Sequence, residues 1–204
     1  MPQNLPTKKR IKNPVLVLKT LPSNLKAYGG FQWPSSGYVK CPDFDPKRAI
    51  GGGFHGLLLG QGNSKVLSRS ASAKWLVLEV DSKKLIHLDG KVKFEECNVL
   101  ICGTQAEATS YLYYNSSTDC VHGLTLTVGS RQIITGGDFC NITCGNFNSI
   151  VVEDGSTVIG GDFCYITALG RSTASGGTET VIHANAMGKL ATGPRGRFIW
   201  YSND

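Results

Sequence analysis

The chain has 204 residues, 41% of them hydrophobic and 18% charged, with a formal net charge of +6. That length can bury a real core, in one domain or two small ones. No run of about eighteen apolar residues occurs, which excludes a membrane-spanning helix and points to no membrane partner.

Residues 1–13 form a basic tail. Lys8-Lys9-Arg10-Ile11-Lys12 suits a nuclear address or a phosphate-binding arm as well as a plain solvated tail. Val15 to Leu18 is too short for the apolar region of a secretion signal, so none is expected and a cytoplasmic setting is. The seven cysteines fit no zinc spacing, and no metal is expected. They read as free thiols in a reducing compartment. Residues 1–120 carry 16 basic against 9 acidic residues, a net of +7; residues 121–204 carry 5 against 6, a net of −1. Any anionic ligand or partner is therefore expected at the N-terminal half, although a charge this diffuse does not argue for nucleic acid.

Residues 14–118 read as a small α+β domain. Val15–Leu18, Tyr38–Cys41, Trp75–Val80, Leu85–Leu88, Val92–Phe94 and Asn98–Ile101 have strand character, with turns at 81–84 and at Asp89-Gly90. Thr104 and Glu107 form a capping box that opens one helix ending near Asn115. Between the second and third strands lies a run with six glycines in twelve residues, Gly51 to Gly62. It is neither a phosphate loop nor a dinucleotide fingerprint. It reads as a glycine-rich bend holding a satisfied histidine. Its functional alternative is a ligand pocket of Gly52, Gly53 and His55 with Trp33, Trp75 or Glu79.

This Gly-Gly-x-His-Gly turn is followed by Trp75-Leu76-Val77-Leu78-Glu79-Val80, then by Gly90-Lys91-Val92-Lys93-Phe94, then by octads. The order resembles a family of bacterial and phage proteins whose N-terminal unit is similar to the ADP-ribosyltransferase-like fold. The resemblance covers Gly51 to Leu112. It implies NAD as cofactor, His55 in the first catalytic role, and Glu79 or Glu107 as the late carboxylate; Tyr38 precedes His55 rather than following it. No cofactor is expected outside that alternative. His87 alternates into a strand, His122 sits at the junction, and His183 is assigned an outward position.

From Val121 the sequence falls into ten octads: VHGLTLTV, GSRQIITG, GDFCNITC, GNFNSIVV, EDGSTVIG, GDFCYITA, LGRSTASG, GTETVIHA, NAMGKLAT and GPRGRFIW. The sixth place is apolar throughout, from Leu126 to Phe198. The first place is glycine in six octads and is assigned the φ > 0 geometry of a tight turn. Places four, six and eight share one face of an extended chain, so they face inward while places five and seven face water. Ile142, Ile150 and Ile166 are expected to be buried. Two octads per coil close a two-sided β-solenoid of about five coils, roughly 24 Å long at ~4.8 Å per coil. Cys140 and Cys164 then fall on opposite walls, too far apart for a disulfide. The fold class is mainly β: a small α+β domain followed by a solenoid in residues 119–204.

The octad resembles the Ala-Gly-Tyr-Gly-Ser-Thr-x-Thr repeat of bacterial ice-nucleation proteins. Gly155-Ser156-Thr157 matches it, and Gly170-Arg171-Ser172-Thr173 is close. Ice binding requires a flat outward Thr-x-Thr array. Thr125 and Thr127 fit one, but later octads put Tyr165, Val181, His183, Lys189 and Arg197 there. The reading is therefore non-enzymatic: an interaction or assembly module with the solenoid as a rigid arm. In the last octad Pro194, Arg195, Arg197, Phe198, Trp200 and Tyr201 break the pattern. These residues either cap the last coil or bind a protein partner, and self-association through this end is the favoured reading.

Overall fold

The computed structural model describes residues 8–118, 120–185 and 188–200. The chain divides into two compact units, Met1–Ser117 and Thr118–Asp204. Tyr201 and the rest of the C-terminus lie outside the described residues.

The first unit is one antiparallel sheet of seven strands. They are β1 (Pro14–Leu21), β2 (Gly37–Lys40), β3 (Phe54–Leu58), β4 (Lys74–Asp81), β5 (Ile86–Leu88), β6 (Lys91–Phe94) and β7 (Glu96–Gly103). Their order is β2-β7-β4-β1-β3-β6-β5. Val17, Leu76, Leu78, Val80, Phe54 and Phe94 alternate onto one face and join Trp33 in the core. The helix α1 (Gln105–Asn115) packs on β4 and β7, with Ala108 and Leu112 buried. Its Thr104–Glu107 capping box is formed.

Two expectations for this unit change. The glycine-rich run is not a bend throughout, because β3 lies inside it and pairs with β1 and β6. The tail is not wholly solvated either. Lys9 exchanges backbone–side-chain hydrogen bonds with Asn98, and its ammonium donates to Glu96 (2.6 Å).

The second unit is a β-solenoid of about five turns. One sheet stacks β8 (Thr125–Val128), β10 (Asn141–Cys144), β12 (Thr157–Ile159), β14 (Thr173–Gly176) and β16 (Leu190–Thr192). The other stacks β9 (Ile133–Gly136), β11 (Ser149–Val152), β13 (Tyr165–Ala168), β15 (Val181–Ala184) and β17 (Arg197–Trp200). Pairing is parallel at a sixteen-residue step: Ile142 faces Val158, and Ile150 faces Ile166. Ile142, Ile150 and Ile166 are buried, whereas Asn141 and Tyr165 are exposed and Ser149 is half-buried. Cys140 and Cys164 precede strands of opposite sheets, and no disulfide joins any of the seven cysteines, all of which are among the described residues.

The positive φ belongs to the third place of the octad, not to the first-place glycines. Phe139, Phe147 and Phe163 have φ of 60°, 61° and 56°. The first-place glycines meet a different demand, close approach of the coil beneath. A Cβ on Gly145 would lie 2.6 Å from Ser130 Oγ and 3.2 Å from the carbonyl carbon of Gly129. Gly129 itself has nothing within 4 Å of such an atom.

The left-handed residues at place three cost strain, and their side chains recover part of it by stacking along the corner. Arg131 lies over Phe147, Phe147 stacks on Phe163 (4.9 Å, 4°), and Glu179 pairs with Arg195.

Second-place side chains form hydrogen-bond ladders up both corners. Asp138 N–H donates to His122 Nδ1 (2.9 Å), Asp154 N–H to Asp138 Oδ1 (3.1 Å), and Arg171 N–H to Asp154 Oδ1 (2.8 Å). On the other corner Asn146 N–H donates to Ser130 Oγ (2.9 Å), Asp162 N–H to Asn146 Oδ1 (2.9 Å), and Thr178 N–H to Asp162 Oδ1 (2.7 Å). Inside, Ser156 Oγ and Ser172 Oγ accept from Cys140 N–H and Ser156 N–H, both at 3.0 Å. The buried polar groups of a thin interior are thus satisfied by the repeat itself.

Candidate functional site

In the first unit, Lys93 organises the approach to the candidate pocket. Its ammonium is buried and donates to the carbonyls of Lys47, Ala49 (2.9 Å) and Gly51 (3.3 Å). That clamp draws the glycine-rich loop over the side chain. A Cβ on Gly53 would come within 2.8 Å of Lys93 Cγ, and one on Gly52 within 2.8 Å of Asp45 Cβ. The glycines of the motif therefore permit packing of the loop.

Beside this loop lies a cavity of about 760 Å3. It is lined by the Ala27–Phe31 turn, Cys41–Asp43, the Ile50–His55 run, Lys19 and Trp33. Gly52, Gly53, His55 and Trp33 thus all border this cavity, but Phe54 faces Trp33, so the His55 side chain lies on the opposite face of β3, toward Leu18 and Lys91. Trp75 is buried on β4 and is not among its lining residues. Glu79 is also on β4, separated from His55 by β1, and accepts a hydrogen bond from Asn98 Nδ2 (2.8 Å). Of the two carboxylates that the transferase resemblance offers, Glu79 is not paired with His55 and Glu107 closes the capping box of α1.

His55 is not the satisfied histidine of the bland reading. Its backbone hydrogen bond is to Gly53, while Nε2 is buried and has no partner. Burial, followed by the charges of Lys91, Lys19 and Lys93, lowers its pKa to about 4, so the ring is neutral at pH 7. Trp33 Nε1 is likewise buried without a partner, in a residue only 2% exposed. Lys19 is a second, partly buried cation. Its Nζ donates to the His55 carbonyl (2.9 Å) and sits 5.3 Å from the Trp33 ring centroid. Burial lowers its pKa to about 8.

Sequence reasoning missed Lys19. The signal was present, since Lys19 interrupts the inward series Val17, Lys19, Leu21 of one strand. An inward lysine on an apolar face is rarely without purpose.

In the second unit, splitting the octads by parity changes their meaning. One sheet presents Thr125, Asn141, Thr157 and Thr173 in its fifth-place column and Thr127, Thr143, Ile159 and Ser175 in its seventh. Of the residues that break the Thr-x-Thr pattern, Tyr165, Val181, His183 and Arg197 lie on the other sheet, whereas Lys189 follows Thr173 on the first. That second face is apolar in character, with Ile133, Val151, Tyr165 and Ile199 exposed. His183 keeps its outward column, between inward Ile182 and Ala184, but is covered there, its ring 4.6 Å from that of the exposed Tyr165.

The ends of the interior column also differ. Leu126 and Ile134 in the first coil are buried, but Phe198 in the last is 44% exposed, beside Ile199 and Trp200 at 41% and 56%.

His122, Asp138 and Glu153 form one group whose ligand-type atoms lie within 4.8 Å of one another. The corner ladder accounts for their proximity, because His122 Nδ1 and Asp138 Oδ1 accept its backbone N–H groups.

The chain is 36% identical over 103 residues to the ice nucleation protein InaU of Pantoea ananas, covering 50% of this chain and 10% of that protein. It is 40% identical over 105 residues to an ice nucleation protein of Pseudomonas fluorescens (50% and 9%). Against one of Pseudomonas syringae it is 36% identical over 99 residues (48% and 9%). No family model matches and no solved structure matches, and nothing in these comparisons supports the transferase resemblance. The chain spans about a tenth of the length of the curated relatives it matches; what it shares with them is the octad repeat of ice-nucleation proteins, folded here as a β-solenoid.

Proposed function

We propose that the chain is a non-enzymatic assembly module whose solenoid is a rigid arm joining it to a second copy of itself. The observation behind this reading is the exposed apolar run Phe198, Ile199 and Trp200. Phe198 occupies the column that is buried from Leu126 to Ile182, yet it is open to solvent with Ile199 and Trp200. The edge of a parallel ladder beside an apolar patch recruits another chain. Because the first coil's column is already buried, the same end of a second copy is the fitting occupant, which gives a closed twofold contact rather than a filament. Light scattering at tens of micromolar should give a dimer, and Phe198→Asp should give a folded monomer. A monomeric intact chain would exclude this assembly.

A second reading is favoured by the threonine columns alone. Thr125, Thr157 and Thr173 in one column and Thr127, Thr143 and Ser175 in the other repeat hydroxyls at the coil spacing, interrupted by Asn141 and Ile159, and the relatives are named ice nucleation proteins. On this reading the face orders water. Droplets containing the intact chain should then freeze at a higher temperature than droplets of Thr143→Leu. Equal freezing temperatures would leave assembly as the function of the solenoid.

A further inference from the structure

The pentad Gly-Gly-Asp-Phe-Cys occurs twice in the solenoid, at residues 136–140 and 160–164. A cysteine stands one coil, sixteen residues, before the first glycine of each: Cys120 and Cys144. Each of these cysteines therefore lies beneath that glycine. Thr143 pairs with Ile159, which sets Gly160 over Cys144. The Gly137 N–H donates to the Val121 carbonyl (3.1 Å), which sets Gly136 over Cys120. The glycine leaves a window for the pentad's own sulfur. A Cβ on Gly160 would lie 3.3 Å from Cys164 Sγ, and one on Gly136 would lie 2.6 Å from Cys140 Sγ. Through that window each pentad cysteine reaches the coil beneath. Cys164 Sγ donates to the Gly145 carbonyl (3.3 Å), and Cys140 Sγ lies 3.5 Å from the Val121 carbonyl oxygen. Those carbonyls belong to the residues that follow Cys144 and Cys120. The Cys144 thiol is hydrogen-bonded to Cys164, and Cys120 is among the groups acting on Cys140.

We propose that Cys144 with Cys164, and Cys120 with Cys140, are inter-coil thiol pairs that oxidise to two disulfides and staple the first three coils together. The oxidant is a low-molecular-weight disulfide. One cysteine of a pair gives its proton to solvent, and its thiolate attacks a sulfur of the oxidant's S–S bond. A mixed disulfide forms and one oxidant thiolate leaves. The second cysteine, deprotonated in turn, attacks the protein sulfur of that mixed disulfide. The Sγ–Sγ bond forms and the second oxidant thiolate leaves. Two electrons pass from the pair to the oxidant, and the two protons end on its released thiols. The product suits the interior, because a disulfide is neutral and puts no charge in a dry core. It strands no carbonyl either. Gly145 O keeps the Gly161 N–H (3.1 Å), and Val121 O keeps the Gly137 N–H. The pairing is selective as well. Cys140 and Cys144 flank one extended strand, which holds them about 13 Å apart.

Burial sets the rate of this reaction. It pushes the Cys144 thiol up to about 11 and the Cys140 thiol up to about 12, so thiolate is scarce while the coils are closed. Exchange therefore follows local opening of the coils, and the bonds that form then hold those coils shut. Each bond closes a loop of about twenty residues. Such a link restricts the open chain far more than the closed one, so oxidation raises stability.

The test warms the full chain to just below its Tm with oxidised glutathione, cools it, and blocks the remaining thiols with iodoacetamide. Peptide mass mapping should then find Cys144 joined to Cys164 and Cys120 joined to Cys140. Tm should rise by at least about 5 °C and return to its starting value in dithiothreitol. Cys164→Ser should remove the first link, keep the second, and lose part of the rise. If that variant does not fold, the mapping of the intact chain still decides, and Cys120→Ser, at a half-buried position, makes the converse variant. Four outcomes would overturn the proposal: thiols that stay reduced, a lasting glutathione adduct on one member of a pair, any other pairing of these four cysteines, or an oxidised chain that melts no higher than the reduced one.

Discussion

The two units solve the same problem, a dry and satisfied interior, in opposite ways. In the first, each polar solution is built once from residues far apart in sequence: Lys93 reaches the loop at 47–51, and Lys9 reaches Glu96. In the second, one solution is repeated at a step of sixteen, and each coil completes its neighbour's hydrogen bonds. Non-local solutions leave room for irregularity, and the cavity with its unpaired nitrogens is in that unit. Repetition spreads the demand evenly, so a defect in one coil is felt by the two beside it.

The sharpest way to break this comparison is a charge in the interior column. Ile150 is buried between Ile134 and Ile166. Ile150→Asp should cost about 3–5 kcal/mol and lower Tm by about 10 °C, because the carboxylate finds no partner in an aliphatic stack. A folded variant with unchanged Tm would refute the octad frame.

A smaller effect separates close approach from turn geometry. Gly145→Ala should cost about 1–3 kcal/mol, since its Cβ meets the backbone of the coil beneath. Gly129→Ala, at the equivalent place with open space around it, should change stability by less than about 0.5 kcal/mol. If first-place glycines served the turn, both would be costly.

How far the sequence was legible follows from the same contrast. Period, strand, interior column and coil length were all readable, because each octad votes on the same answer. Two features were misread for want of a second dimension. The threonine columns vanish when odd and even octads are pooled, since Tyr165 and Val181 belong to one sheet and Thr157 and Thr173 to the other. The glycines were given to the turn because φ and close approach leave the same residue in the sequence. In the first unit the strands were readable from their alternation, except β3, which the glycines around Phe54–Leu58 masked. His55 and Trp33 drew attention by type. Their placement on opposite faces of β3 at the edge of one cavity, and the exclusion of Trp75 and Glu79 from it, depend on strand order and register, which no local pattern encodes.

The smallest expected effect separates the acid sensitivity of the two units. Burial alone would raise the Glu96 carboxyl, but hydrogen bonds from Lys9, Tyr38 and Lys84 together outweigh it and hold the group at about 2. Its ordinary value is 4.5, so the folded state binds its proton less readily than the unfolded state. The stabilisation is complete above about pH 4.5 and is lost as pH falls through about 2. Lys9 and Lys84 are about half exposed, so solvent and salt screen the effect and it should be modest. Melting curves of the intact chain should fall more steeply between pH 4.5 and 2 than those of Glu96→Gln, and the difference should shrink in high salt. In the solenoid, Asp154 is held below its usual range, first by the Arg171 N–H. A backbone N–H keeps its direction in the ladder at any ionic strength, so the difference in acid response between the intact chain and Asp154→Asn should survive salt that erases the Glu96 effect. Equal salt sensitivity at the two sites would mean that both carboxylates are held by mobile surface charges rather than one by the repeat itself.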